Sequence, residues 1–68
     1  MPQVDSSAIR DIDYTPSRRR LHVRFVSGAV YGYEGVPAPI GEAFLAAGSK
    51  GRYFARRIRD RFPYRRLP

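Results

Sequence analysis

Leu21-His22-Val23-Arg24-Phe25-Val26-Ser27-Gly28-Ala29-Val30-Tyr31-Gly32-Tyr33 is the stretch that decides the fold. Leu21, Val23 and Phe25 alternate with His22 and Arg24, the period of a strand half buried against a core. Ser27-Gly28 is a tight-turn signal, and Ala29 to Tyr33 is rich in β-branched and aromatic residues, so the stretch reads as an antiparallel hairpin. Toward the N-terminus, Ala8 to Tyr14 carries Ile9, Ile12 and Tyr14 and is followed by the turn chemistry of Thr15-Pro16-Ser17, which places a further strand before the hairpin. Met1 to Ser7 are polar and unpatterned and read as a loose lead-in.

Beyond Gly35 the pattern changes. Pro37 and Pro39 exclude a continuing central strand and prepare a helix start. Ile40, Phe44 and Ala47 then fall on one helical stripe, and Gly48 is placed to end that helix in a left-handed turn. Ser49 is a cap for a second helix with the stripe Phe54, Ile58 and Phe62, halted by Pro63. The expected architecture is a single α+β domain over residues 8–67 of the form β-β-β-α-α. Its three-stranded antiparallel sheet would carry both short helices on one face, because neither helix can bury its stripe alone.

Sixty-eight residues bury only about 60% of their unfolded surface, so a deep, water-excluded active site is not expected. The chain has no cysteine, which rules out disulfides and thiolate metal sites. His22 is the one histidine, without ligand spacing around it, and nothing resembles a nucleophile with an oriented base. A non-enzymatic protein without cofactor, metal or small-molecule substrate is therefore expected. No charged leader precedes an apolar run, and no stretch approaches the roughly 20 apolar residues of a membrane span, so a cytoplasmic location without membrane attachment is expected.

The net charge of +7 is uneven: residues 1–34 hold five bases against four acids, and the remainder holds eight against two. Such a localised excess attracts polyanions with an affinity that falls with salt. On the second helix, Arg52, Arg56 and Arg59 point away from the apolar stripe with Arg57 on the flank, a row able to track a phosphate backbone without reading its sequence. The same row is equally consistent with a solvated face. Ser49-Lys50-Gly51 at the helix start could hold one phosphate, or could simply cap the helix. Arg18-Arg19-Arg20 at the first hairpin reads as a soluble loop or an extension of the basic surface.

Tyr31 and Tyr33 have two readings. With Ser27-Gly28 as a two-residue turn, Arg24 lies opposite Tyr31 and His22 opposite Tyr33, and both rings share the open face as a stacking platform for unpaired bases. With one residue more in the loop, both rings enter the core.

Val30-Tyr31-Gly32-Tyr33, Gly35-Val36-Pro37, Ser49-Lys50-Gly51-x-Tyr53-Phe54, Ile58-Arg59 and Phe62-Pro63-Tyr64, in this order, resemble the KTSC domain. The resemblance covers residues 6 to 67, with Tyr31 and Tyr33 matching the family's central Tyr-x-Tyr and Phe62 standing where tyrosine is common. The family is named for its place at the C-terminus of some lysyl-tRNA synthetases and also occurs as free-standing bacterial proteins. The resemblance implies no catalytic or metal residues and suggests an RNA partner through that attachment. The expected function is binding of RNA, tRNA or a single strand, by Lys50, Arg52, Arg56, Arg57 and Arg59, with Tyr31, Tyr33 and Arg24 contributing from the sheet. The alternative is a protein-interaction or homodimerisation module.

Overall fold

The computed structural model describes residues 8–68, so the expected lead-in at Met1 to Ser7 lies outside the described residues. Strand β1 (Ile9–Thr15) passes through a single 3-10 turn at Pro16–Arg18 into β2 (Arg20–Phe25), and β2 turns into β3 (Val30–Tyr33). Helices α1 (Ala38–Ala46) and α2 (Lys50–Arg57) follow, and the chain ends in a fourth strand, β4 (Tyr64–Leu67). The sheet order is β1-β2-β3-β4, antiparallel throughout. The expectation of a three-stranded sheet is thus corrected to four. Tyr64-Arg65-Arg66-Leu67 carries two adjacent arginines and no apolar alternation, and it is an edge strand, where charge is tolerated because one side of the ladder faces water.

The two-residue turn is corrected as well. The Phe25 N–H donates to Ala29 O at 2.9 Å, and the Gly28 N–H donates to Phe25 O at 2.9 Å, which leaves Val26-Ser27-Gly28 as a three-residue loop. Gly28, at φ 99°, supplies the left-handed position such a loop requires. Tyr31 therefore lies opposite Val23 and Tyr33 opposite Leu21. Directly opposed residues share a face, so both tyrosines stand on the core side with Leu21 and Val23, and the platform beside Arg24 and His22 does not form. Leu21 and Val23 are fully buried and Tyr33 is 2% exposed.

Both helices cover this same face: Phe44 of α1, Phe54 of α2 and Ile58 after it join Ile9, Leu21, Val23, Tyr33 and Val36 in the buried core. Helix α1 approaches the sheet closely at Gly41, where any Cβ would collide with the ring of Tyr14, and the Tyr14 hydroxyl donates to Val36 O at 2.7 Å. Pro39 sits in the first turn of α1, where its missing N–H costs nothing. Gly48 does not end this helix in a left-handed turn. Ala47 is the terminal residue, in extended conformation, and the Lys50 ammonium donates to its carbonyl. The Ser49 hydroxyl caps α2 by accepting from Arg52 N at 3.3 Å, as its position suggests. Helix α2 is shorter than its stripe. It closes at Arg57, and Phe62 packs against the core from the turn that follows.

Candidate functional site

Helices α1 and α2 do not cover the whole core-side face of the sheet. Toward β4 the face stays open as a groove of about 460 Å³, lined by Phe25, Tyr31, Tyr33, Phe54 and Tyr64, with Val26 and Ser27 at the hairpin end and Arg59 on the rim. Its lining residues include no acid. The rings form a continuous chain. Tyr33 lies 5.3 Å from Tyr64 and 5.7 Å from Phe54, while Tyr31 lies 5.7 Å from both Phe25 and Tyr64 between centroids. Such tilted and edge-on pairs hold one another in place. Phe25 and Phe54, also 5.7 Å apart, close the series, in which Phe54 is buried and Tyr64 is 56% accessible.

The hydroxyls divide in the same way. Those of Tyr14 and Tyr53 are engaged by the carbonyls of Val36 and Ile40, whereas those of Tyr31, Tyr33 and Tyr64 have no hydrogen-bond partner among the described residues. Among the described residues no side-chain polar atom is both sealed from water and unpaired, and Tyr33 lines the groove. Burial, and then the neighbouring Tyr64, Tyr31 and Asp60, push the Tyr33 phenol up to about 12 against the opposing pull of Arg59. It stays a neutral donor and acceptor at neutral pH.

Arg59 is placed differently from its sequence expectation. Because α2 ends at Arg57 and Ile58 leaves helical geometry, Arg59 swings out of the outward row to the groove rim, its Nε 4.0 Å from Asp60 Oδ2. The remaining outward cations are Arg52, Arg56 and Arg57, joined by Arg61. Arg52, Arg56 and Arg57 border one shallow depression, and Arg56, Arg57 and Arg61 border a second with Asp60. Among the described residues none of these four has an acid within 4.0 Å.

Lys50 and Arg24 stand apart from both features. The Lys50 ammonium is turned onto Ala47 O at the end of α1, and the Ser49 hydroxyl accepts the capping bond from Arg52 N. Arg24 lies on the opposite face of the sheet, 4.0 Å from Asp11. His22 shares that face, its ring lying against Gly32. Arg20 pairs with Glu34 at 3.0 Å. Sequence reasoning missed Tyr64 and Arg66, which share the groove side because Tyr64 lies opposite Tyr33 and Arg66 opposite Tyr31. The signal was the spacing of Tyr64 and Arg66 two residues apart after Pro63, which becomes informative only once β4 is recognised. Among the described residues there is no group of three potential metal ligands, and no helix is long and apolar enough to cross a membrane.

A four-stranded antiparallel sheet with two helices on one face, an aromatic groove and an arginine face defines a small α+β domain. The KTSC domain model matches residues 5–62, and the chain belongs to the KTSC domain family. It is similar in fold to the crystal structure of a KTSC domain protein from Yersinia pestis, with a TM-score of 0.85 and 39% identity over 93% of this chain and 89% of that one. It is 45% identical over 51 residues to a protein of Stutzerimonas stutzeri, covering 75% of this chain and 72% of the relative. It is also 36% identical over 63 residues to a lysine–tRNA ligase of Nostoc sp., where the match spans 93% of this chain but 11% of the ligase.

Proposed function

We propose that this domain binds RNA, with tRNA or a single-stranded segment as partner, through phosphate contacts to the outward face of α2. The observation that carries the reading is the cluster of Arg52, Arg56, Arg57 and Arg61, four guanidiniums without an acid partner among the described residues. Guanidinium grips phosphate bidentately, and releasing condensed counterions supplies affinity without sequence reading. Similarity to a segment of a tRNA ligase supports RNA as the polyanion. Binding needs no chemistry on the ligand, so the domain works as a non-enzymatic module.

Self-association is the competing reading, favoured by β4, a sheet-edge strand that carries the exposed Tyr64. The deciding experiment is fluorescence anisotropy against labelled tRNA and single-stranded RNA from low to physiological salt, with molar mass measured across protein concentration. Micromolar or tighter binding by a monomer at physiological salt supports the RNA reading. Loss of binding by physiological salt together with a concentration-dependent mass replaces it with self-association.

A further inference from the structure

The groove beside Tyr64 is not explained by phosphate contacts on α2, since Arg52, Arg56 and Arg57 do not line it. Its volume of about 460 Å³ falls in the range of sites that enclose one small organic group, roughly 300–1,000 Å³. Half of its lining residues are aromatic, and Tyr64 offers an exposed ring. Three tyrosine hydroxyls without partners among the described residues are available to a planar ligand's polar edge. The charge beside it is two guanidiniums against one carboxylate: Arg59 sits on the rim, its Nε 4.0 Å from Asp60 Oδ2, and Arg66 stands on the same side of β4, opposite Tyr31.

We propose that this groove takes one unpaired nucleobase of the bound RNA, stacked against Tyr64 and Tyr31, while Arg59 and Arg66 hold the adjoining phosphates. This deepens the RNA reading and rests on it. Charge complementarity selects the occupant, because an aromatic side chain of a protein partner would bring no anion to Arg59 and Arg66, whereas every base in a strand brings a phosphate with it. Aromatic stacking tolerates any base, so the site ranks single strands and loops above duplexes without fixing a sequence. The placement also gives the two surfaces separate roles, since α2 tracks the backbone and the groove demands an unpaired base.

The test is a titration of the isotope-labelled full chain, followed by amide chemical shifts, with adenosine 5′-monophosphate, adenosine and ribose 5-phosphate as probes. The monophosphate is expected to shift Ser27, Ala29, Tyr31, Arg59 and Tyr64, and ribose 5-phosphate to leave the hairpin signals still. Tyr64→Ala should weaken the monophosphate about tenfold. Arg59→Gln should weaken the monophosphate and spare adenosine, a readout that holds even if Tyr64→Ala perturbs the edge strand. A chain carrying Arg52→Gln, Arg56→Gln and Arg57→Gln should keep mononucleotide binding while losing RNA. Shifts confined to α2, or monophosphate affinity unchanged in both Tyr64→Ala and Arg59→Gln, overturn the nucleobase site and leave the α2 reading standing. Monophosphate in the groove with no RNA binding by the unaltered chain overturns the RNA reading instead.

Discussion

Tyr33 and Tyr64 lie opposite each other across β3 and β4 with ring centroids 5.3 Å apart, one ring almost fully buried and the other more than half exposed. The pair joins the core to the surface. Phe54, Tyr33 and Tyr64 form one packed series, so the groove floor cannot move without disturbing the core beneath it.

Tyr33 gives the fold an alkaline limit. Its phenol is pushed above the ordinary tyrosine value of 10.0 to about 12, chiefly by burial. The unfolded chain then loses this proton near pH 10 while the folded chain keeps it. The stabilising contribution is complete below pH 10 and declines as pH rises toward 12. Urea unfolding at stepped pH should show the midpoint falling across this window. Tyr33→Phe should flatten that part of the decline, and an unchanged decline would move its origin to other groups. Tyr33→Leu, which empties part of the core and breaks the ring series, should cost about 2 kcal/mol at neutral pH.

Gly41 should respond to alanine with the opposite sign from an ordinary helical glycine. In an exposed helix interior, replacing glycine by alanine gains about 1 kcal/mol. Here a methyl group would enter the ring of Tyr14, which is held by its bond to Val36 O, so α1 must lift from the sheet. Gly41→Ala is expected to cost about 1–3 kcal/mol. In a Tyr14→Ala background the same change should become neutral or stabilising. A thermal-denaturation double-mutant cycle reads this reversal directly.

The fold was legible wherever local pattern and burial agree. Leu21, Val23 and Phe25 alternate because one side of β2 is buried, and Ser49 announces α2 because its cap bond is local. What escaped was decided at longer range or by one residue. The register of Tyr31 and Tyr33 depends on whether Val26 belongs to strand or loop, and period-two patterning in β2 is satisfied either way. The end of α2 was obscured because Phe62 continues the helical spacing while reaching the core from a turn. Strand β4 has no apolar pattern of its own and exists by pairing with β3, so Tyr64 and Arg66 could not be placed. For the site, the outward positions of Arg52 and Arg56 with Arg57 on the flank were readable from helical period, while Arg59 was misplaced by the helix end.

The three-residue loop gives a test of register. Gly28 has φ 99° and open space within 4 Å of the point a Cβ would occupy, so Gly28→Ala is penalised by backbone conformation alone. The expected cost is about 1–2 kcal/mol, with the tyrosine environment intact by near-ultraviolet circular dichroism. Deleting Ser27 is a harsher change. It leaves Val26-Gly28 as a two-residue turn between Phe25 and Ala29, so Tyr31 should stay opposite Val23 and Tyr33 opposite Leu21, and the expected outcome is a lower melting temperature from the strained turn with cooperative unfolding and the tyrosine environment retained.

The arginines should separate by face when RNA binding is measured against salt. Arg56→Gln and Arg57→Gln each remove one phosphate contact, so each should lower the slope of log affinity against log salt by about 0.7, with similar losses for unrelated single strands. Arg24→Gln provides the control, since Arg24 lies on the far side of the sheet beside Asp11 and its charge faces away from α2. Its slope should match that of the unaltered chain. Equal loss in all three variants would reduce the α2 cluster to general positive charge. Loss confined to Arg56 and Arg57 would tie affinity to the helix face, because the three substitutions remove the same formal charge from different faces.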